Sequence, residues 1–246
     1  MLVTTPAIVL HAFPYGDTSK IVRLSTRDHG VQSVMAKGAT RPRSRFGASL
    51  QLLSGGVACF YLKSHRDLHI LSAFDVVEQR PALAGDLRRY AAAQALAELV
   101  LRCSPADPHP DVFDVLGASL DRMAGVDTDH LPTVSLAALW RMVATLGFEP
   151  EVNACVRCGG AAGGRTPFSI ADGGILCSAC GRGTGGGALD ADDRAALSAF
   201  VSGSSDVPPL KPKHLAAHRR LLTRFIHRHL GEDRELKALA HWESQR

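Results

Sequence analysis

Four of the six cysteines fall into two short hooks, Cys155-Val156-Arg157-Cys158 and Cys177-Ser178-Ala179-Cys180, with eighteen residues between them. Each hook is short enough to put two sulfurs on one ion. The intervening stretch is long enough to fold back as a small ribbon. This pattern points to a structural zinc ion held by Cys155, Cys158, Cys177 and Cys180, one per chain. Glycines such as Gly159, Gly173 and Gly181 crowd the hooks, as tight knuckle turns require. Large apolar residues are few there (Phe168, Ile170, Ile175, Leu176), so metal–thiolate bonds would have to hold the span together. Two disulfides or a redox-active pair are the competing readings. Catalytic zinc is disfavoured, because four thiolates leave no open position for a water and no His, Asp or Glu adjoins either hook.

The second group with chemistry is cationic. Lys37-Gly38-Ala39-Thr40-Arg41-Pro42-Arg43-Ser44-Arg45-Phe46-Gly47 has no apolar alternation and is broken by Gly38, Pro42 and Gly47. It reads as a flexible loop between two strands. Lys20 and Arg23 fall in a neighbouring strand, and Lys63 and Arg66 at the next hairpin. Lys20, Arg23, Lys37, Arg41, Arg43, Arg45, Lys63 and Arg66 together would bind phosphates along one face, with Phe46 or Tyr15 available to stack on a base. The bland alternative is a solvated loop whose charge serves solubility. His214 and His218 are spaced as metal ligands can be, but no carboxylate accompanies them in the sequence, so no second metal is expected.

Known catalytic patterns are absent. The sequence contains no Gly-x-x-x-x-Gly-Lys-Ser/Thr loop, no His-Glu-x-x-His and no Gly-x-Ser-x-Gly elbow. A binding protein is therefore expected rather than an enzyme. A zinc-braced enzyme acting on nucleic acid is the alternative from another class.

The elements that must hold these residues follow from periodicity. Val3–His11, Ile21–Thr26, Gly30–Ala36, Leu50–Leu62 and Leu68–Val77 read as strands separated by turn signals. Five short strands with no helical period suggest an OB-fold barrel, because closure removes exposed edges. A Greek-key sandwich fits the periodicity nearly as well. From there the period becomes helical: Leu83–Cys103 opened by Gly85-Asp86, Asp111–Met123, and a helix from Pro132 to Leu146. After the hooks, Gly181–Gly187 is a joint and Asp190 an N-cap. A basic helix then runs from Lys213 to about Leu230, with Arg219, Arg220, Arg224 and Arg228 supplying charge, and a last one starts near Asp233. The expected architecture is α+β: an OB-fold barrel over 1–80, then a helical domain (81–150 and 188–246) interrupted by a four-cysteine zinc ribbon over 151–187.

Bulk properties agree with a soluble, cytoplasmic protein. The chain has 246 residues, 46% hydrophobic and 21% charged. No apolar run approaches the ~20 residues of a membrane span, and no signal peptide is evident. Net charge is only +4, but residues 1–80 hold ten Lys/Arg against five Asp/Glu, and residues 211–246 nine against four. The acidic middle between two basic ends suggests a polyanion partner at the ends.

The residues also carry a resemblance. Ile8-Val9-Leu10, Tyr15-Gly16-Asp17-Thr18-Ser19-Lys20-Ile21-Val22, Gly30, and Val34-Met35-Ala36-Lys37-Gly38-Ala39 resemble the N-terminal domain of the RecO family of bacterial recombinational-repair mediators. The likeness runs on through Arg41 and Ser44 into Ala58–Leu62, and the cysteine hooks sit where that family carries its zinc ribbon. Pro42 departs from it, standing where many relatives have a basic or small residue. The resemblance implies binding of single- and double-stranded DNA and annealing of complementary strands. It also implies action with RecR to load RecA on single strands coated by single-strand-binding protein (SSB), contact with the SSB tail, and a nucleoid-associated location.

Overall fold

The computed structural model describes residues 1–47, 49–63, 65–105, 107–184, 187–204, 206–231 and 236–245. Its contacts divide it into two units, Met1–Gly125 and Val126–Arg246.

The first unit begins with β1 (Leu2–Tyr15), β2 (Ser19–Thr26), β3 (Gly30–Ala36), β4 (Gly55–Tyr61) and β5 (Leu68–Glu78). They close a barrel in the order β1-β2-β3-β5-β4, as expected of an OB-fold and not of a sandwich. Only β3 and β5 pair in parallel. Alternation does the sorting: Val22, Leu24, Val34, Ala36, Ala58, Phe60 and Leu71 point inward and make the core. The barrel is sheared, as closure demands. Following the ladder from Phe13 through Ile21, Met35, Ile70 and Tyr61 returns to β1 at Leu2, eleven residues earlier. Gly56 is fixed by close approach at a bulge, since a Cβ there would lie 2.3 Å from the Asp75 carbonyl oxygen.

Two strands differ from expectation. β1 runs on to Tyr15, because its far end pairs with β2 as a long hairpin. β4 starts at Gly55 rather than Leu50, because the residues before it turn inward instead of extending. Leu50 and Phe46 join the barrel core. Leu53, with φ of 66°, donates its N–H to Val9 O and accepts from the Arg80 guanidinium.

Three helices complete this unit: α1 (Pro81–Gly85), α2 (Leu87–Cys103) and α3 (Pro110–Gly125). Asp86 stops the first and caps the second by accepting from the Arg89 N–H at 2.9 Å. Arg80 is buried and ties the unit together. It pairs with Glu78 at 2.5 Å and Asp121 of α3 at 2.7 Å while holding Leu53 O. α3 lies against β1 at Ile8, whose side chain faces Gly117.

The second unit holds α4 (Leu131–Thr145), a small sheet, α5 (Ala191–Ser202), α6 (Pro212–His229) and α7 (Lys237–Ser244). The expected start of the last helix at Asp233 lies outside the described residues. The sheet is β6 (Thr166–Ser169), β7 (Gly174–Ile175) and β8 (Ala188–Leu189), with β6 in the middle. Trp140 of α4 packs on Phe225 of α6 at 5.3 Å between rings, and Phe168 of the ribbon meets the same ring at 6.3 Å. The ribbon's Phe168 is thus packed against α6. Among the described residues no helix is long and apolar enough to cross a membrane.

Candidate nucleic-acid interface and candidate metal centre

The metal centre is built from two matched turns. Gly159 N–H closes on Cys155 O and Gly181 N–H on Cys177 O, each at 2.8 Å. The knuckles therefore present their sulfurs toward one point. All four Sγ atoms lie within 4.8 Å of one another, and Cys158 Sγ stands 3.8 Å from Cys177 Sγ. A tetrahedral ion with metal–sulfur bonds of about 2.3 Å demands sulfur separations of about 3.8 Å. The four thiols are unlinked. Gly181 is required here, because a Cβ would meet the Pro167 ring at 2.7 Å.

Electrostatics in the knuckles set the sulfurs apart. Backbone N–H groups, that of Cys177 foremost, hold the Cys155 thiol down at about 6. The Cys180 N–H, 3.4 Å from Cys177 Sγ, lowers Cys177 in the same way. Cys180 is pushed up to about 12, first by its hydrogen bond with Cys177 and then by Cys158 and Cys155. One sulfur ionises early and another late, as closely coupled thiols do. These four cysteines could hold a metal ion, and a soft, four-coordinate one fits the donor set. Arg157 does not extend a cationic surface there: its Nε and Nη2 both donate to Asp172 Oδ2, at 3.1 and 2.8 Å.

The eight cationic residues are placed unevenly. Lys37 and Arg41 gather with Tyr15 and Met35 around an open depression of 520 Å³ at the end of the β1–β2 hairpin. Arg43 and Arg45 stand exposed on the loop that follows. Arg23 lies on the outer face of β2, opposite His11 and Ser33. Lys20 shares its parity with Val22 and Leu24, so it takes the inward side at the barrel's end rather than the face of Arg23. Lys63 and Arg66 precede Leu68, which pairs with Ser33 in parallel. They lie toward the beginning of β3, while Lys37 continues from its end. Among the described residues none of the eight is in an ion pair with a carboxylate. Arg27, by contrast, is bound to Asp114 at 3.0 Å and so is spent on structure.

The loop carrying Arg41, Arg43 and Arg45 is not a loose span. Successive turns close it: Arg41 N–H on Gly38 O, Ser44 N–H on Arg41 O, Gly47 N–H on Ser44 O. Phe46 anchors it in the barrel core and is only 1% exposed. It is therefore not a stacking residue, and Arg45 lies over one face of its ring at 5.0 Å. The residue pattern hid this, because an aromatic among arginines resembles a base-stacking site.

The sequence also left a second surface unread. The outward residues of the same ladder, Phe13, Ile21, Met35, Ile70, Tyr61 and Leu2, form an apolar band winding round the barrel. Phe13 is 39% exposed, Tyr15 50% and Tyr61 48%. The signal was present as alternation in each strand, but only the register joins the positions.

On α6 the charges also divide. Arg220, Arg224 and Arg228, four residues apart, border a 690 Å³ cavity with Phe168, Ile170, Leu189 and Leu221. Arg219 turns away, stacks on Trp242 at 5.0 Å and donates to Gln245 O. His229 likewise turns inward, with Nε2 2.6 Å from Ile170 O.

Comparison with known proteins covers nearly all of these elements. The family model described as Recombination protein O N terminal matches residues 1–80, and that described as Recombination protein O C terminal matches residues 84–239. The chain is 35% identical to a DNA repair protein RecO of Anaeromyxobacter sp. (strain K) over 237 residues, 91% of this chain and 90% of that one. It is 32% identical to that of Myxococcus xanthus (strain DK1622), with 95% and 93% covered. For Bacillus subtilis (strain 168) the figures are 34% identity, 73% and 69%.

Proposed function

The chain belongs to the RecO family of DNA repair proteins, and from that premise we propose that it is a mediator and not an enzyme. It binds single- and double-stranded DNA, anneals complementary strands and, with RecR, helps load RecA onto SSB-coated single strands. The observation that carries this reading is the unpaired charge of Lys37 and Arg41 beside exposed Tyr15, with Arg43 and Arg45 exposed on the loop that follows. Cations that no internal carboxylate neutralises are free to take phosphates, and they lower the repulsion between two strands. Phosphate contacts leave base edges free to pair. The aromatic band supplies stacking for unpaired bases. Zinc in the four-cysteine knuckles joins the two hooks of the ribbon as a brace. The protein acts in the cytoplasm, at the nucleoid.

Reversing Arg41, Arg43 and Arg45 to Glu tests the interface. Affinity for single strands drops, and the slope of log K against log salt becomes shallower by about 2, near 0.7 per lost single-strand phosphate contact. Annealing falls with it. An unaltered slope and annealing rate would remove the loop from the function. A turnover assay on DNA and RNA that finds strand cleavage would favour the zinc-braced enzyme instead.

The cavity along α6 is proposed for the SSB tail. A peptide with acidic residues and an apolar end matches Arg220, Arg224 and Arg228 above a wall of Phe168, Ile170 and Leu221. Arg224→Glu should weaken binding of a labelled tail peptide about tenfold or more, while DNA affinity at the barrel is kept. Equal peptide affinity in the variant would place the tail elsewhere.

A further inference from the structure

His214 and His218 share one face of α6, being one turn apart. The carboxylate missing beside them in sequence arrives from the start of α5, more than twenty residues away. Asp193 Oδ1 lies 2.7 Å from His214 Nδ1 and 3.2 Å from His218 Nε2. Asp190, the cap of α5, brings a second carboxylate, and the donor atoms of Asp190, Asp193 and His214 all fall within 4.8 Å of one another. We propose that Asp190, Asp193 and His214 form a second metal site, for a first-row divalent ion such as zinc, joining α5 to α6, with His218 positioning Asp193.

Donor chemistry selects the ion. Imidazole nitrogens with carboxylate oxygens suit zinc, manganese, iron, cobalt or nickel, whereas magnesium and calcium prefer oxygen alone. Spacing agrees. Donors about 2.0–2.1 Å from a tetrahedral ion stand about 3.3 Å apart, so the observed 2.7 Å between Asp193 and His214 asks for an opening of a few tenths of an ångström.

Charge agrees as well. Two carboxylates are drawn together beside two imidazoles, and among the described residues no Lys or Arg is in an ion pair with either. A cation is what that arrangement lacks. His218 holds the arrangement from behind: its ring is 1% exposed and its Nε2 faces Asp193 Oδ1 at 3.2 Å, which fixes the carboxylate that His214 shares. Asp193 and His218 also border the 690 Å³ cavity, which leaves a route for the ion and room for a water ligand.

The test uses the full chain, dialysed against micromolar zinc and counted by elemental mass spectrometry. Two zinc per chain are expected in the wild type. One should remain in His214→Ala and in Asp193→Asn, and two in His227→Ala, an exposed residue of the same helix. Cobalt replacement should give visible bands of nitrogen/oxygen coordination that vanish in His214→Ala while the sulfur-to-metal absorption of the cysteine site persists. If the cysteines held no metal, the wild type would keep one equivalent and His214→Ala none, so the two sites fail separately. A second equivalent that survives His214→Ala, or a wild type whose only metal is bound by sulfur, overturns the proposal.

Discussion

Two stretches of this chain are strings of tight turns between strands, and they direct their side chains in opposite senses. In the knuckles, Gly159 and Gly181 close the turns and four sulfurs converge within 4.8 Å. In the loop of residues 37–47, similar turns close at Gly38, Arg41 and Ser44, but the guanidinium groups of Arg41, Arg43 and Arg45 stand out into solvent. Each has an aromatic turned inward, Phe168 in the ribbon and Phe46 in the loop. Convergent groups bind something small enough to be surrounded. Divergent groups bind something large that surrounds them. An ion fits the first arrangement and a polyphosphate chain the second, so the same backbone device serves a brace and an interface.

Removing the convergent ligands should have the largest effect. Cys155→Ala with Cys158→Ala loses the sulfur-bound metal, and the bonds that join the two hooks of the ribbon go with it. Trp140 and Trp242, the chain's two tryptophans, both lie in the second unit, so tryptophan fluorescence reports on that unit alone. Its denaturation midpoint should move by an amount equal to about 5 kcal/mol, a fraction of the ~10–16 kcal/mol a structural zinc can supply. DNA affinity at the barrel changes little. A fluorescence transition unmoved by the double substitution would mean that the ribbon is held by Phe168 and Ile175 without metal.

The same contrast explains what could be read from the sequence. A Cys-x-x-Cys hook states its own geometry, since two residues between sulfurs fix their separation; the ribbon was legible for that reason. The barrel was legible too, because alternation marks each strand and turn residues mark each end. What escaped was everything set by register or by distant return of the chain. The apolar band from Phe13 to Tyr61 needs five strand pairings to be seen. Asp193 meets His214 and His218 only when α5 packs on α6. Arginines were hard for a different reason. Arg80 and Arg27 are as cationic in sequence as Arg41, and only their carboxylate partners assign them to structure. Phe46 was misread because the charge around it concealed its inward side.

The divergent loop gives a smaller and more discriminating prediction. If its arginines act from fixed positions, the anchor matters as much as the charge. Phe46→Ala empties a fully buried aromatic site and should cost the barrel about 3–4 kcal/mol. Arg45→Ala, exposed, should cost at most about 0.5 kcal/mol. Phe46→Ala carries every cation of the wild type, so its affinity for single strands separates two accounts. A loop that binds only by net charge keeps its salt slope and affinity in the folded variant at low temperature. A loop that binds from an anchored frame loses affinity about three- to tenfold, because its charges must now be ordered on binding. Phe46→Leu, which refills most of the site, should restore both stability and affinity, and recovery of one without the other would separate the anchor from the interface.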